Sequence, residues 1–150
     1  MGLKEGEGVL AMLEALKRGE IVVEEFTTPS PFSVTAEENL LQLEEIMARE
    51  GIRHVPVVRA GVPIGIVSDR DLRVVKNFSG HETFLAEQIM TPDPFTVSPD
   101  MPLDQVAYEM SQRKIGSAIV VDEEGKVIGI FTSTDALNAL VELVRGQLNR

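Results

Sequence analysis

The sequence predicts an α/β (α+β) fold of two tandem β-α-β-β-α units packed with pseudo-two-fold symmetry behind an N-terminal helix. Three observations predict it. The chain repeats itself at a spacing of 63 residues. Each copy carries one apolar stripe at helical spacing, then two β-branched runs. And each copy is too small to enclose a comfortable core alone, so the two are expected to share one.

The repeat is ordered and nearly unbroken. Thr28-Pro29-Ser30-Pro31-Phe32-Ser33-Val34 recurs as Thr91-Pro92-Asp93-Pro94-Phe95-Thr96-Val97. Leu40, Gln42, Met47, Ile52 and Val57-Val58 match Leu103, Gln105, Met110, Ile115 and Val120-Val121. One inserted residue then shifts the spacing to 64, and Gly61-x-x-Ile64-Gly65-Ile66 matches Gly125-x-x-Ile128-Gly129-Ile130. Ser68-x-x-Asp71 finally aligns with Thr132-x-x-Asp135. A series this ordered is a duplication.

Residues 1–22 lie outside the repeat. Val9, Leu10, Leu13 and Leu16 form a stripe that predicts an amphipathic helix ending near Gly19. Residues 23–76 are the first unit, 77–86 a partly helical connector, and 87–150 the second unit with a C-terminal helix. Within each unit a short strand (Phe32 to Val34, Phe95 to Val97) leads to a helix. Thr35 with Glu38 predicts a capping box, and Ser98 with Pro99 an N-cap and first-turn pair. Leu40, Leu43 and Met47, and likewise Leu103, Val106 and Met110, mark the buried helix faces. The strands follow at Val55 to Val58 and Ile64 to Val67, then at Ala118 to Val121 and Ile128 to Phe131. Second helices open near Asp69 and Ser133. The last carries Leu137, Leu140, Val141, Val144 and Leu148, a stripe suited to packing or to a dimer contact.

Composition removes several classes of function. A net charge of −10 opposes nucleic-acid binding, which needs a basic face. With no cysteine there is no disulfide, thiolate metal site or cysteine nucleophile. Apolar runs are too short for a membrane span, the first residues lack a signal peptide's apolar core, and the expected location is cytoplasmic. No nucleophile–base pair and no phosphate-binding Gly-rich loop stands out, so no residue is assigned to catalysis or to metal.

The repeat unit resembles the CBS domain, named for cystathionine β-synthase, and the whole resembles a tandem CBS pair. The resemblance rests on Phe26-Thr27-Thr28-Pro29, Gly51 to Val58 and Gly65 to Leu72, with Ile89 to Pro92, Lys114 to Val121 and Gly129 to Asp135 in the second copy. It implies a regulatory module that binds an adenosine-containing ligand (AMP, ADP, ATP, NAD or S-adenosylmethionine) between the paired repeats, with no cofactor required. It further implies that Asp71 and Asp135 hold the ribose beside Ser68 and Thr132. Ile52, Val55 and Pro56, with Ile115 and Ala118, would enclose the base. Thr35 belongs to the same implied set.

The residues themselves suit this chemistry. An aspartate one turn into a helix accepts hydrogen bonds from two vicinal hydroxyls, and a strand-to-helix junction offers N–H groups to phosphate. Arg53, His54 and Arg70 add basic groups in the first copy, where the second has Gly116, Ser117 and Thr134, so unequal sites are expected. The same Ser/Thr-x-x-Asp pattern also fits plain helix caps. The alternative function is accordingly a ligand-free scaffold for dimerisation or partner docking. A homodimer and a separately encoded effector protein are the expected partners.

Overall fold

The structure, a computed structural model, describes residues 2–29 and 31–146, with side chains from residue 8 onward. Helix α1 (Gly2–Lys17) leads through a short 3-10 turn (Val23–Phe26) into the first repeat. That repeat comprises β1 (Thr28–Pro29), β2 (Val34–Thr35), α2 (Leu40–Glu50), β3 (His54–Arg59), β4 (Val62–Ser68) and α3 (Asp69–Val75). A second 3-10 turn (His81–Thr83) and α4 (Ala86–Ile89) form the connection. The second repeat follows as β5 (Thr91–Pro92), β6 (Thr96–Val97), α5 (Leu103–Arg113), β7 (Ser117–Val121), β8 (Val127–Thr132) and α6 (Ser133–Arg145).

Among the described residues two four-stranded sheets result, in the orders β2-β3-β4-β5 and β1-β8-β7-β6. Each repeat therefore surrenders its first strand to the other's sheet: Thr28 pairs with Ile130, and Thr91 pairs with Ile66. Each unit thus carries one further two-residue strand ahead of the expected β-α-β-β-α order. Pro29 and Pro92 lack an N–H, which suits these segments to sheet edges. The exchanged strands cross glycines. A Cβ at Gly129 would meet the Thr27 side chain and lie 3.2 Å from the Thr28 carbonyl oxygen; one at Gly65 would meet the Met90 side chain.

Both principal helices bury the expected faces: Leu40, Leu43 and Met47 of α2, and Leu103, Val106 and Met110 of α5. Each face joins its own core, one with Val55, Val57 and Val67, the other with Ala118, Val120 and Phe131. The helix starts differ from expectation. Thr35 and Glu38 form no capping box; Thr35 lies in β2 opposite Val58, and α2 starts at Leu40 with Asn39 accepting from the Gln42 N–H at 2.9 Å. The reason is long-range pairing. Ala86 N donates to the Glu38 carbonyl at 2.7 Å and Glu87 N to that of Ala36 at 3.0 Å, holding 36–39 out of the helix. Ser98 likewise does not cap α5. Its hydroxyl bonds Asp100 at 2.6 Å, while Val23 N and Leu103 N bond the carbonyls of Met101 and Ile21 at 2.9 Å each.

Helix α1 packs on α5 and α6, but through Met12 and Ala15, with Leu16 partly covered. Leu10 and Leu13 of the expected stripe are exposed, because the small Ala15 gives the closer approach to the second core. On α6, Ala139 is buried, while Leu137, Leu140, Val141 and Val144 face outward. Leu148 lies outside the described residues. Among those residues, no helix is long and apolar enough to cross a membrane.

Candidate ligand-binding site

The two Ser/Thr-x-x-Asp motifs form matching strand-to-helix junctions. Ser68 remains extended at the end of β4, while Asp71 lies in the first turn of α3. Asp71 N donates to Ser68 Oγ at 3.1 Å, and Ser68 N donates to Asp71 Oδ2 at 2.8 Å. In the second repeat Thr132 N donates to Asp135 Oδ2 at 2.8 Å, and Asp135 N to Thr132 Oγ1 at 3.4 Å. The capping alternative is thus realised at both positions. It occupies Oδ2 of each carboxylate, and among the described residues no hydrogen bond reaches either Oδ1.

The residues before β3 and β7 are tied to these junctions. Asp69 N donates to the Arg53 carbonyl at 2.9 Å, and Ser133 N to that of Gly116 at 3.0 Å. His54 faces Ser68 across the β3–β4 pair, as Ser117 faces Thr132 across β7–β8. His54 also reaches the other repeat: its Nε2 lies 3.2 Å from where a Cβ on Gly116 would stand, with Ser133 Oγ 3.6 Å from that point. The two junctions thus meet around one imidazole. Burial holds the His54 pKa below its usual value, against the opposing pull of Asp69 and Asp71, while Arg53 adds to the lowering.

The remaining expected residues separate by face. Pro56 is fully buried, and its counterpart Ile119 likewise. Ile52 packs on the first core, whereas Ile115 is 37% exposed. Val55 and Ala118 are sealed within the helix-side cores, because side chains alternate along a strand and theirs point to the helices. Arg53, Arg70, Thr134 and Thr35 are exposed, and Gly116 is half-buried.

Sequence reasoning missed one feature. A cavity of about 450 Å³ opens where the chain crosses between the sheets, lined by Asp93, Pro94 and Thr96 with Val62, Ile64 and Val121. The repeated Thr-Pro-x-Pro was the available signal. Neither aspartate lines this cavity, nor another of about 660 Å³ between α1 and α5.

Comparison with known proteins agrees with this architecture. The chain is 33% identical over 125 residues to inosine-5′-monophosphate dehydrogenase of Korarchaeum cryptofilum, which covers 83% of the chain and 24% of that enzyme. It therefore spans about a quarter of that relative's length. Among solved structures, it is similar to the CBS domain pair of protein MJ0100 in complex with 5′-methylthioadenosine and S-adenosyl-L-methionine. The TM-score is 0.74 at 27% identity, covering 80% of this chain and 95% of that one. It is also similar to the CBS domain of a bacterial CNNM/CorC family Mg2+ transporter in complex with ATP, with a TM-score of 0.77 at 26% identity over 96% and 99% of the chains. The CBS domain family itself matches twice, at residues 23–76 and 86–142. The chain belongs to the CBS domain family, of which it carries a tandem pair.

Proposed function

We propose that the chain is a regulatory module that binds an adenosine-containing nucleotide between its paired repeats and catalyses no reaction. One observation carries the reading: the same Ser/Thr-x-x-Asp junction is built twice, each time with a carboxylate oxygen left without a partner among the described residues. Structurally similar CBS pairs in complex with ATP, or with S-adenosyl-L-methionine and 5′-methylthioadenosine, support the ligand class. In this reading Asp71 and Asp135 accept from ribose hydroxyls, beside Ser68 and Thr132. Ile52, Pro56 and Ile115 supply apolar contact, Arg53 and Arg70 favour phosphate at the first junction, and His54 contributes there as a neutral ring. Gly116 and Thr134 give the second junction less charge. Val55 and Ala118 act through packing.

A thermal-shift panel of AMP, ADP, ATP, NAD and S-adenosylmethionine tests the proposal. A ligand held at a hundredfold excess over its Kd stabilises by about 2.7 kcal/mol, which raises Tm by several degrees. Guanosine, cytidine and inorganic phosphate are expected to do little. A flat response to the whole panel refutes nucleotide binding and favours the scaffold reading. The exposed stripe Leu137, Leu140, Val141 and Val144 is the observation behind that second reading, with a second copy or a separately encoded effector as the occupant.

A further inference from the structure

We propose that His54 is a pH-sensitive pin between the two repeats: neutral, it seats against Gly116 and Ser133 of the other repeat; protonated, it leaves that seat. The inference goes beyond nucleotide binding and stands without it.

The seat is geometric. His54 belongs to β3, yet its Nε2 and Cε1 lie 3.2 and 3.5 Å from the Cβ position of Gly116. A side chain at 116 would crowd the ring, which would have to yield by a few tenths of an ångström. Ser133 Oγ closes the same point at 3.6 Å and donates to the Gly116 carbonyl at 3.4 Å. The second repeat thus presents the ring with the Gly116 backbone, and among the described residues no carboxylate of that repeat is one of the charges acting on the ring. The charged groups that act on the ring come from the first repeat: Asp69 and Asp71 on α3, and Arg53 next to it in the chain. Asp71 is already engaged through Oδ2 with the Ser68 N–H at 2.8 Å. Among the described residues, no hydrogen bond fixes either ring nitrogen. Repeat symmetry places Ser117 at the equivalent position, so the second repeat has no such pin.

Electrostatics sets the direction. Burial disfavours the charged ring and outweighs the attraction of Asp69 and Asp71, so the folded-state pKa lies below that of the unfolded chain. A group depressed in this way contributes stability that is present above its unfolded value, about 6.5. That contribution is lost as pH falls through the lower folded value, by up to about tenfold in the folding equilibrium per pH unit. The pin is seated above the unfolded-state value and released as pH falls through the lower folded-state value.

The chain has two histidines, so ring resonances resolve the question directly. The full chain is titrated by NMR from about pH 8 to about pH 5, with His81→Gln assigning the signals. The expected result is a His54 midpoint below 6.5, with the Gly116 and Ser133 amides moving along the same curve. Urea unfolding over the same range should show the wild type losing stability relative to His54→Gln as pH drops. A midpoint at or above 6.5 overturns the proposal, as does a His54 titration that leaves Gly116 and Ser133 unmoved. If His54→Gln does not fold, the wild-type titration decides alone.

Discussion

Thr28, from the first repeat, is the antiparallel partner of Ile130 in the second, and the next pair joins Pro29 to Gly129. The absence of a side chain at 129 is what lets the exchanged strand lie down, because the Thr27 side chain and Thr28 carbonyl fill that space. Gly129→Ala should therefore destabilise the fold by about 1–3 kcal/mol, the usual range for overpacking. Gly65→Ala should cost less, since the atoms it meets belong to the flexible Met90 side chain. Urea midpoints for the two variants rank them; a larger loss at Gly65 contradicts the argument.

Gly116→Ala is expected to destabilise through His54. The 3.2 Å approach requires the ring to yield by a few tenths of an ångström. Trimming the ring in the same chain, as His54→Ala with Gly116→Ala, should recover part of the loss. A double-mutant cycle at pH 7.5 should give a coupling of at least about 0.5 kcal/mol. Additive effects would mean that the two residues do not feel each other.

Asp71→Ala separates binding from folding. Loss of its two bonds to ribose, each worth about 1.5–3 kcal/mol when charge-assisted, should weaken nucleotide affinity about a hundredfold or more. Folding should lose only about 1 kcal/mol, the value of a helix-start cap. Asp135→Ala should reduce affinity less for phosphate-bearing ligands, because Gly116 and Thr134 stand where the first repeat has Arg53 and Arg70. Isothermal titration of AMP and ATP into the three proteins tests this, and unchanged affinity in both variants would leave the aspartates as caps only.

Self-association should run through α6. Leu137, Leu140, Val141 and Val144 lie at helical spacing and are 43–67% exposed, an arrangement that an isologous contact with a second copy would cover. Light scattering at micromolar concentration should return twice the 16.4 kDa chain mass. Leu140→Glu should return the single-chain mass without loss of secondary structure. A wild-type monomer refutes the dimer.

The sequence by itself determined what is local and periodic. The apolar stripes of α2 and α5 identified their buried faces, because one turn of helix brings residues three and four apart onto one side. The duplication identified two equivalent units, and the spacing of Ser68 to Asp71 and of Thr132 to Asp135 located both junctions, since a reciprocal cap spans three residues. Tertiary structure alone decided the rest. The strand exchange, the late starts of α2 and α5, and the contact of His54 with Gly116 each depend on backbone or side-chain partners far away in the chain. Val55 and Ala118 became core for a similar reason: a strand's alternation shows which residues share a face, and only packing against α2 and α5 decides which face turns inward. The burial of Met12 and Ala15 on α1, in place of Leu10 and Leu13, was settled by the surface α1 meets, because a helix with apolar residues on more than one side is oriented by its neighbour's shape.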